Sequence, residues 1–380
     1  MSFAPSAALK RRHDAVRADL ATRRVDALVV TSLPNILYLT NFTGSAAIVV
    51  LTADRLHFLT DSRYLTVMGD TRGAPHGCPD LELVPVEGSY DARLVDVLTA
   101  HHGLRVGFES ADLTVSRHAW LAKSLADRTP RGGDLAPTEG VVEHARVVKD
   151  AYEVATLREA ARRLSRVAEL VPTLVKAGRT EREVAMAIDW RIREAGFART
   201  AFETIVAAGS NAALPHAKPG ERKLAEGDLV VLDFGGVYDS YCVDLTRTVS
   251  IGTAAPRARD VYRAVREAQD RAIQSVAPGR SRFDIDAAAR ETLDSYGLGE
   301  AFGHGTGHGL GIEVHEAPRI ARRRPDVDAG DEAVQAGMVF TIEPGAYVPG
   351  WGGVRIEDDV LVTEGGVEVL TTVGSDLIEV

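Results

Sequence analysis

Four acids lie where strands should be apolar. Asp233 ends the run Leu229-Val-Val-Leu-Asp233, and Asp244 sits inside Tyr241-Cys-Val-Asp-Leu245, eleven residues further on. Glu343 falls in Met338-Val-Phe-Thr-Ile-Glu-Pro-Gly345, and Glu357 in Gly353-Val-Arg-Ile-Glu-Asp-Asp-Val360. A buried carboxylate is costly unless it is paired or bound to a cation. A turn at Gly235-Gly236 would set the first two acids side by side on one hairpin. Strand parity places Arg355 and Glu357 on one face. Any one of these acids alone reads as a turn residue, an ion-pair partner or a solvent-facing group. All four together repel one another without a cation between them. Two divalent ions bridged by carboxylates resolve that repulsion.

A histidine is the natural fifth ligand. Phe302-Gly-His-Gly-Thr-Gly-His-Gly-Leu-Gly311 holds His304 and His308 in a glycine-rich run. Such a run can cradle phosphate, but that use needs a helix start and usually a lysine, and neither is present. The glycines fit a backbone bent tightly around a metal site. His315 precedes Glu316-Ala-Pro318, and His216 lies in Leu214-Pro-His-Ala217. A lone loop histidine is usually a polar surface group, but a carboxylate cluster in the same domain favours functional use.

The elements that must position these groups follow from periodicity. Residues 6–24 place Leu9, Val16 and Leu20 on one helical face, and residues 90–101 and 114–126 also read as helices. Strands are expected at Ala27–Val30, Ala46–Leu51, Leu56–Thr60, Leu81–Val84 and Val106–Glu109. Strands alternating with helices imply an α/β domain with a mixed sheet. A turn-rich stretch, Pro130–Asp134, precedes a long helix over 151–176. Thr180 and Glu183 form a capping box opening a helix that runs to Ala195 and stops at Gly196. Further helices are expected at 256–276 and 281–296. Strands are expected at 228–234, 241–251, 338–343, 353–362 and 367–372. The fold class is therefore α/β (α+β), with domains at 1–145 and 150–380.

Composition narrows the function classes. The chain has 380 residues, too many for one ordinary domain. Its 44 basic and 54 acidic residues give a net charge of −10, which disfavours nucleic-acid backbones and anionic membranes. The apolar run that a signal peptide requires does not follow Lys10, Arg11 and Arg12. No apolar stretch approaches the ~20 residues of a membrane span. Two distant cysteines, Cys78 and Cys242, suit free thiols in a reducing cytoplasm and cannot build a thiolate zinc site.

At these motifs the chain resembles the metal-dependent Xaa-Pro peptidases, aminopeptidase P and prolidase. They belong to the pita-bread superfamily that also holds methionine aminopeptidase and creatinase. The resemblance spans nearly the whole chain. It rests on Gly227–Gly236, Asp244–Thr248, Gly303–Gly309, Val314–Pro318 and Thr341–Gly345, with Asn35–Gly44 and Thr60–Tyr64 in the first domain. Methionine aminopeptidases generally lack that first domain, and creatinases lack this ligand set.

The resemblance implies a creatinase-like first domain and a pita-bread second domain with a central antiparallel sheet flanked by helices. It implies metal ligands Asp233, Asp244, His308, Glu343 and Glu357, with Asp244 and Glu357 bridging two ions. Oxygen and nitrogen donors suit Mn²⁺ first, then Co²⁺ or Zn²⁺. Glu343 would pass a proton to the leaving amine, and His216 and His315 would steady charge on the scissile unit. His304 and Arg355 would lie at the substrate, and Thr246 and Arg355 would orient carboxylates. The expected substrates are short peptides with proline second, the expected state a homodimer or larger homo-oligomer. The compact first domain favours an aminopeptidase P. The alternative is a prolidase confined to dipeptides. A more distant rival is a non-catalytic peptide-binding module.

Overall fold

The computed structural model describes residues 2–101, 103–128, 134–324 and 333–380. The turn expected over Pro130–Asp134 lies, as far as Gly133, outside them. The chain forms two compact units, Met1–Arg146 and Val147–Val380. No described helix is long and apolar enough to cross a membrane.

The first unit runs α1 (Ser6–Thr22), β1 (Ala27–Val30), α2 (Leu33–Thr40), β2 (Ile48–Leu51), β3 (Leu56–Thr60) and α3 (Ser62–Asp70). It continues through β4 (Leu81–Pro85), α4 (Tyr90–Ala100), β5 (Arg105–Glu109), α5 (Val115–Arg128), β6 (Asp134–Thr138) and α6 (Val141–Val147). Its six strands form one sheet in the order β4-β3-β2-β1-β5-β6. β2 is antiparallel to β1 and β3, and the other pairs are parallel, so the sheet is mixed as expected. Val29, Val50 and Leu59 from the sheet share a core with Leu94 and Leu98 of α4 and Leu121 and Leu125 of α5. Periodicity alone did not separate α2 and α3 from their surroundings. α2 is eight residues long, carries proline in its first turn and stops at Asn41 in the left-handed conformation.

The second unit opens with α7 (Ala151–Leu170) and α8 (Glu181–Glu194), each begun by a capping box. α7 ends earlier than its apolar pattern suggested. Pro172 has no N–H for the next helical bond, so the chain tightens into a 3₁₀ turn over Val171–Thr173. Then follow β7 (Arg199–Thr200), β8 (Ile205–Ala208), β9 (Leu229–Tyr238), β10 (Tyr241–Ser250), α9 (Pro256–Ser275) and α10 (Arg282–Ser295). The remaining strands are β11 (Gly307–Gly309), β12 (Glu316–Ile320), β13 (Val339–Ile342), β14 (Gly345–Val348), β15 (Gly352–Arg355), β16 (Asp358–Thr363), β17 (Gly366–Val369) and β18 (Ile378–Glu379). They divide into a sheet ordered β18-β10-β9-β7 with β8 also on β9, a sheet ordered β12-β11-β13-β16-β17, and the hairpin β14-β15. All pairs are antiparallel except β10 with β18. Ala264, Val265 and Ala268 of α9 and Ile285 and Ala289 of α10 bury their apolar faces with Phe340, Val354 and Val360 of the strands.

Two strand expectations are corrected. Gly235 and Gly236 are not a turn. β9 runs on to Tyr238, and Asp239 and Ser240 make the two-residue connection with φ of 44° and 72°. The glycines are needed for close approach instead: a Cβ on Gly236 would stand 2.5 Å from the Phe197 ring. The segment 353–362 is also not one strand. It breaks after Arg355 because the Glu357 N–H leaves the hairpin and donates to the Thr246 carbonyl at 3.1 Å. The backbone thus crosses from β15 to β16 at Glu357, where an isolated bridge joins it to β10.

Candidate metal centre

The β9–β10 register sets Asp233 opposite Thr246 and Asp244 opposite Gly235. All four positions share one face, so the two acids are diagonal neighbours rather than direct partners. Glu357 reaches the same face from the crossing between β15 and β16. Its carboxylate accepts the Thr246 hydroxyl at 2.5 Å. Glu343 follows β13, anchored by its N–H on the Thr306 carbonyl at 2.7 Å.

His308 stands on β11. Its Nδ1 donates to the Gly309 carbonyl at 3.1 Å, leaving Nε2 for the acids. That nitrogen is 3.6 Å from the Glu343 carboxylate and 4.0 Å from that of Asp244. Burial holds the imidazole below its ordinary pKa, which keeps Nε2 a free lone pair. One donor atom each from Asp244, His308 and Glu357 lie within 4.8 Å of one another.

The electrostatics ask for a cation. Burial pushes the carboxyls of Asp244 and Glu357 well above their ordinary values, and their acidic neighbours push in the same direction. Burial raises Glu343 too. Asp233 Oδ1 and Asp244 Oδ1 are buried and have no hydrogen-bond partner among the described residues. Two orphaned carboxylate oxygens beside a free imidazole nitrogen fit hard or borderline divalent ions.

A cavity of about 610 Å³ opens onto this face, and the nine residues expected to bind metal, act in catalysis or meet substrate all line it, while Thr246 lies outside its lining. Asp233, Asp244, Arg355 and Glu357 are buried, His304, His308 and Glu343 are half-buried, and His216 and His315 are exposed at the cavity. The His315 ring packs edge-on to His308 at 4.3 Å.

Arg355 lines the cavity from a buried position. Its guanidinium donates to Asp233 Oδ2 at 2.5 Å, to the Thr246 hydroxyl at 3.2 Å, to the Tyr347 hydroxyl at 2.8 Å and to the Pro215 carbonyl at 3.3 Å. Each guanidinium nitrogen is engaged, and the bond to Asp233 is the contact expected of a group that orients that carboxylate. His304 lines the cavity with both ring nitrogens engaged, Nδ1 on the Gly305 carbonyl and Nε2 on the Tyr347 hydroxyl.

Sequence reasoning missed Tyr347 and Arg319. Tyr347 is buried between His304 and Arg355, and burial pushes its hydroxyl up to about 12, so it stays a donor. Arg319 on β12 pairs directly with His308 across the β11–β12 ladder and faces the cavity. A strand five residues long beside a glycine-rich run carries too weak an alternation to reveal that pairing.

The comparisons with known proteins agree with this geometry. The model of metallopeptidase family M24 matches residues 155–364, and that of the creatinase/prolidase N-terminal domain matches residues 12–148. The chain belongs to metallopeptidase family M24. An uncharacterized peptidase of Bacillus subtilis, YqhT, is 35% identical over 354 residues, which are 93% of this chain and 96% of that protein. An Xaa-Pro dipeptidase structure from Bacillus anthracis superposes with a TM-score of 0.91 at 33% identity, covering 98% of this chain and all of that one. An X-Pro aminopeptidase from Thermotoga maritima gives a TM-score of 0.81 at 33% identity, covering 94% and 98%. The chain is therefore a peptidase of a metal-dependent family.

Proposed function

We propose that this protein is a two-metal Xaa-Pro peptidase, hydrolysing the bond between an N-terminal residue and a following proline. The observation that carries this is the pair of orphaned buried oxygens on Asp233 and Asp244 at the floor of a cavity that His216 and His315 also line. Asp233, Asp244, His308, Glu343 and Glu357 would hold the ions, with Mn²⁺ the first choice and Co²⁺ or Zn²⁺ the alternatives. When bound, such ions supply hydroxide at neutral pH and polarise the scissile carbonyl. Glu343, beside the reacting bond, would carry a proton to the departing proline nitrogen. The departing nitrogen must gain a proton, which the attacking water would give up and Glu343 would pass on. His216 and His315 can donate to the carbonyl oxygen as charge builds on it.

The sequence favours an aminopeptidase P. Arg319 supports the dipeptidase reading instead. It is exposed on the cavity side opposite His308 and has no ion-pair or hydrogen-bond partner for its side chain among the described residues. A guanidinium fork matches the free carboxylate that proline bears in a dipeptide. The Bacillus anthracis neighbour, called an Xaa-Pro dipeptidase, leans the same way.

The deciding experiment compares an Xaa-Pro dipeptide, an Xaa-Pro-Yaa tripeptide and a longer Xaa-Pro peptide on Mn²⁺-loaded protein. Cleavage of the dipeptide alone means a prolidase, and cleavage of the longer peptides means an aminopeptidase P. Protein that purifies and titrates without metal would leave only the non-catalytic module. The unpaired cysteines Cys78 and Cys242 fit a reducing cytoplasmic setting. A homodimer or larger homo-oligomer is proposed by analogy with the family, and light scattering tests it.

A further inference from the structure

Arg247 follows Thr246 on β10 and, by strand alternation, points away from the cavity face. It is buried, and its guanidinium satisfies one acceptor per N–H. Nε donates to the Gly374 carbonyl at 3.1 Å. One terminal nitrogen donates to the carbonyls of Thr246 at 2.9 Å and Glu357 at 2.6 Å. The other donates to Asp358 Oδ1 at 2.8 Å and to the Val373 carbonyl at 2.7 Å. Asp358 is in turn closed by the Thr371 hydroxyl at 2.7 Å and the Gln269 amide at 2.8 Å. The Thr371 hydroxyl also accepts the Asp359 N–H at 3.1 Å, and Asp359 Oδ2 accepts the Asp244 N–H at 3.1 Å.

This web grips the backbone of Asp244 and Glu357 from behind. Glu357 is held at its N–H by the Thr246 carbonyl and at its carbonyl by Arg247. Asp244 stands on β10 and Glu357 on the crossing between β15 and β16, and the two segments meet at the Thr246–Glu357 bridge. A fully satisfied buried ion pair adds little net stability, but it specifies one arrangement. Metal sites need their donors held within about 0.5 Å. We propose that Arg247, through Asp358 and Thr371, is a positioning residue that sets the spacing of the Asp244 and Glu357 carboxylates for the metal pair. This rests on the two-metal reading given above. Lysine cannot replace it, since a point charge with three donors cannot span these five acceptors.

The test is a Mn²⁺ titration by calorimetry on the full metal-free chain, with the visible spectrum of the Co²⁺-loaded protein recorded beside it. Wild type, Arg247→Lys, Thr371→Val and Asp244→Ala are compared. Arg247→Lys is expected to weaken Mn²⁺ binding about tenfold or more and to change the Co²⁺ bands. KM at saturating metal should stay near the wild-type value, because no substrate contact is removed. Thr371→Val, which loses only a hydroxyl, should move affinity and spectrum the same way by less. It decides the matter if Arg247→Lys does not fold. Wild-type affinity and an unchanged Co²⁺ spectrum in the folded variants would overturn the inference while leaving the metal reading intact. A wild-type chain with no Mn²⁺ uptake, indistinguishable from Asp244→Ala, would overturn both.

Discussion

Gly235 faces Asp244 across the β9–β10 ladder, and the side chain it lacks is the room in which the two strands close. A Cβ at 235 would lie 2.4 Å from the Val243 carbonyl oxygen and 2.7 Å from the Phe202 ring. The backbone oxygen cannot step aside without moving β10 and Asp244 with it. Gly235→Ala is therefore expected to cost about 1–3 kcal/mol, the usual range for overpacking, and to impair metal uptake. Thermal denaturation and metal content of the purified variant check both parts. A variant as stable and as metal-rich as wild type would show that the hairpin yields freely.

Asp244→Ala and Glu357→Ala should each abolish metal binding and hydrolysis. Each removes a donor from the one group of donor atoms that lie within 4.8 Å of one another among the described residues. Full activity in either variant would sink the assignment.

Glu343→Gln should lower the rate on the order of 10²–10⁴-fold while changing substrate affinity far less. The amide keeps the shape but cannot carry a proton to the departing nitrogen. Chelation should silence the wild type, and added Mn²⁺ should restore it. An enzyme indifferent to chelator would refute this part.

Arg319→Ala should raise KM for an Xaa-Pro dipeptide about tenfold or more, the worth of a charged hydrogen bond, and leave a longer peptide nearly unaffected. Steady-state kinetics on both substrates distinguishes this from general damage. Equal losses on both would remove Arg319 from carboxylate recognition.

The first unit carries a pH dependence of its own. Burial pushes Glu109 up to about 7, although the Thr31 and Ser32 amides and the Asn35 side chain donate to it and pull the other way. A carboxyl raised in the folded state binds its proton more tightly there than in the unfolded chain. Its contribution is thus full below about pH 4.5 and fades as the pH climbs through about 7, a change of about 3 kcal/mol. Urea unfolding at pH 5 and pH 8 should show wild type losing more stability on the alkaline side than Glu109→Gln. Parallel pH profiles would rule Glu109 out as the source.

Much of this protein was legible before any coordinates. Leu9, Val16 and Leu20 announce the buried face of α1, and Thr180 with Glu183 announces the start of α8, because helix period and capping are local properties. The candidate metal-binding acids Asp233 and Asp244 were legible because each interrupts an apolar strand at a cost that demands compensation. The short strands β7, β11 and β18 were not, since two or three residues carry no period to detect. Gly235 and Gly236 misled because glycine serves a turn and a close approach equally well, and only the facing strand tells which.

The sequence alone marked which residues are candidates to hold metal and where most of the longer helices and strands lie. Tertiary structure decided who meets whom. Thr246 finds Glu357 across 111 residues, Arg247 finds Asp358 across the same span, and Arg319 comes to face His308 through one register of a short ladder. Such meetings depend on strand register and on where a chain leaves one sheet for another. Those choices are made by the energy of the whole packed unit, in which each buried polar group must find its partner, and no local pattern records them.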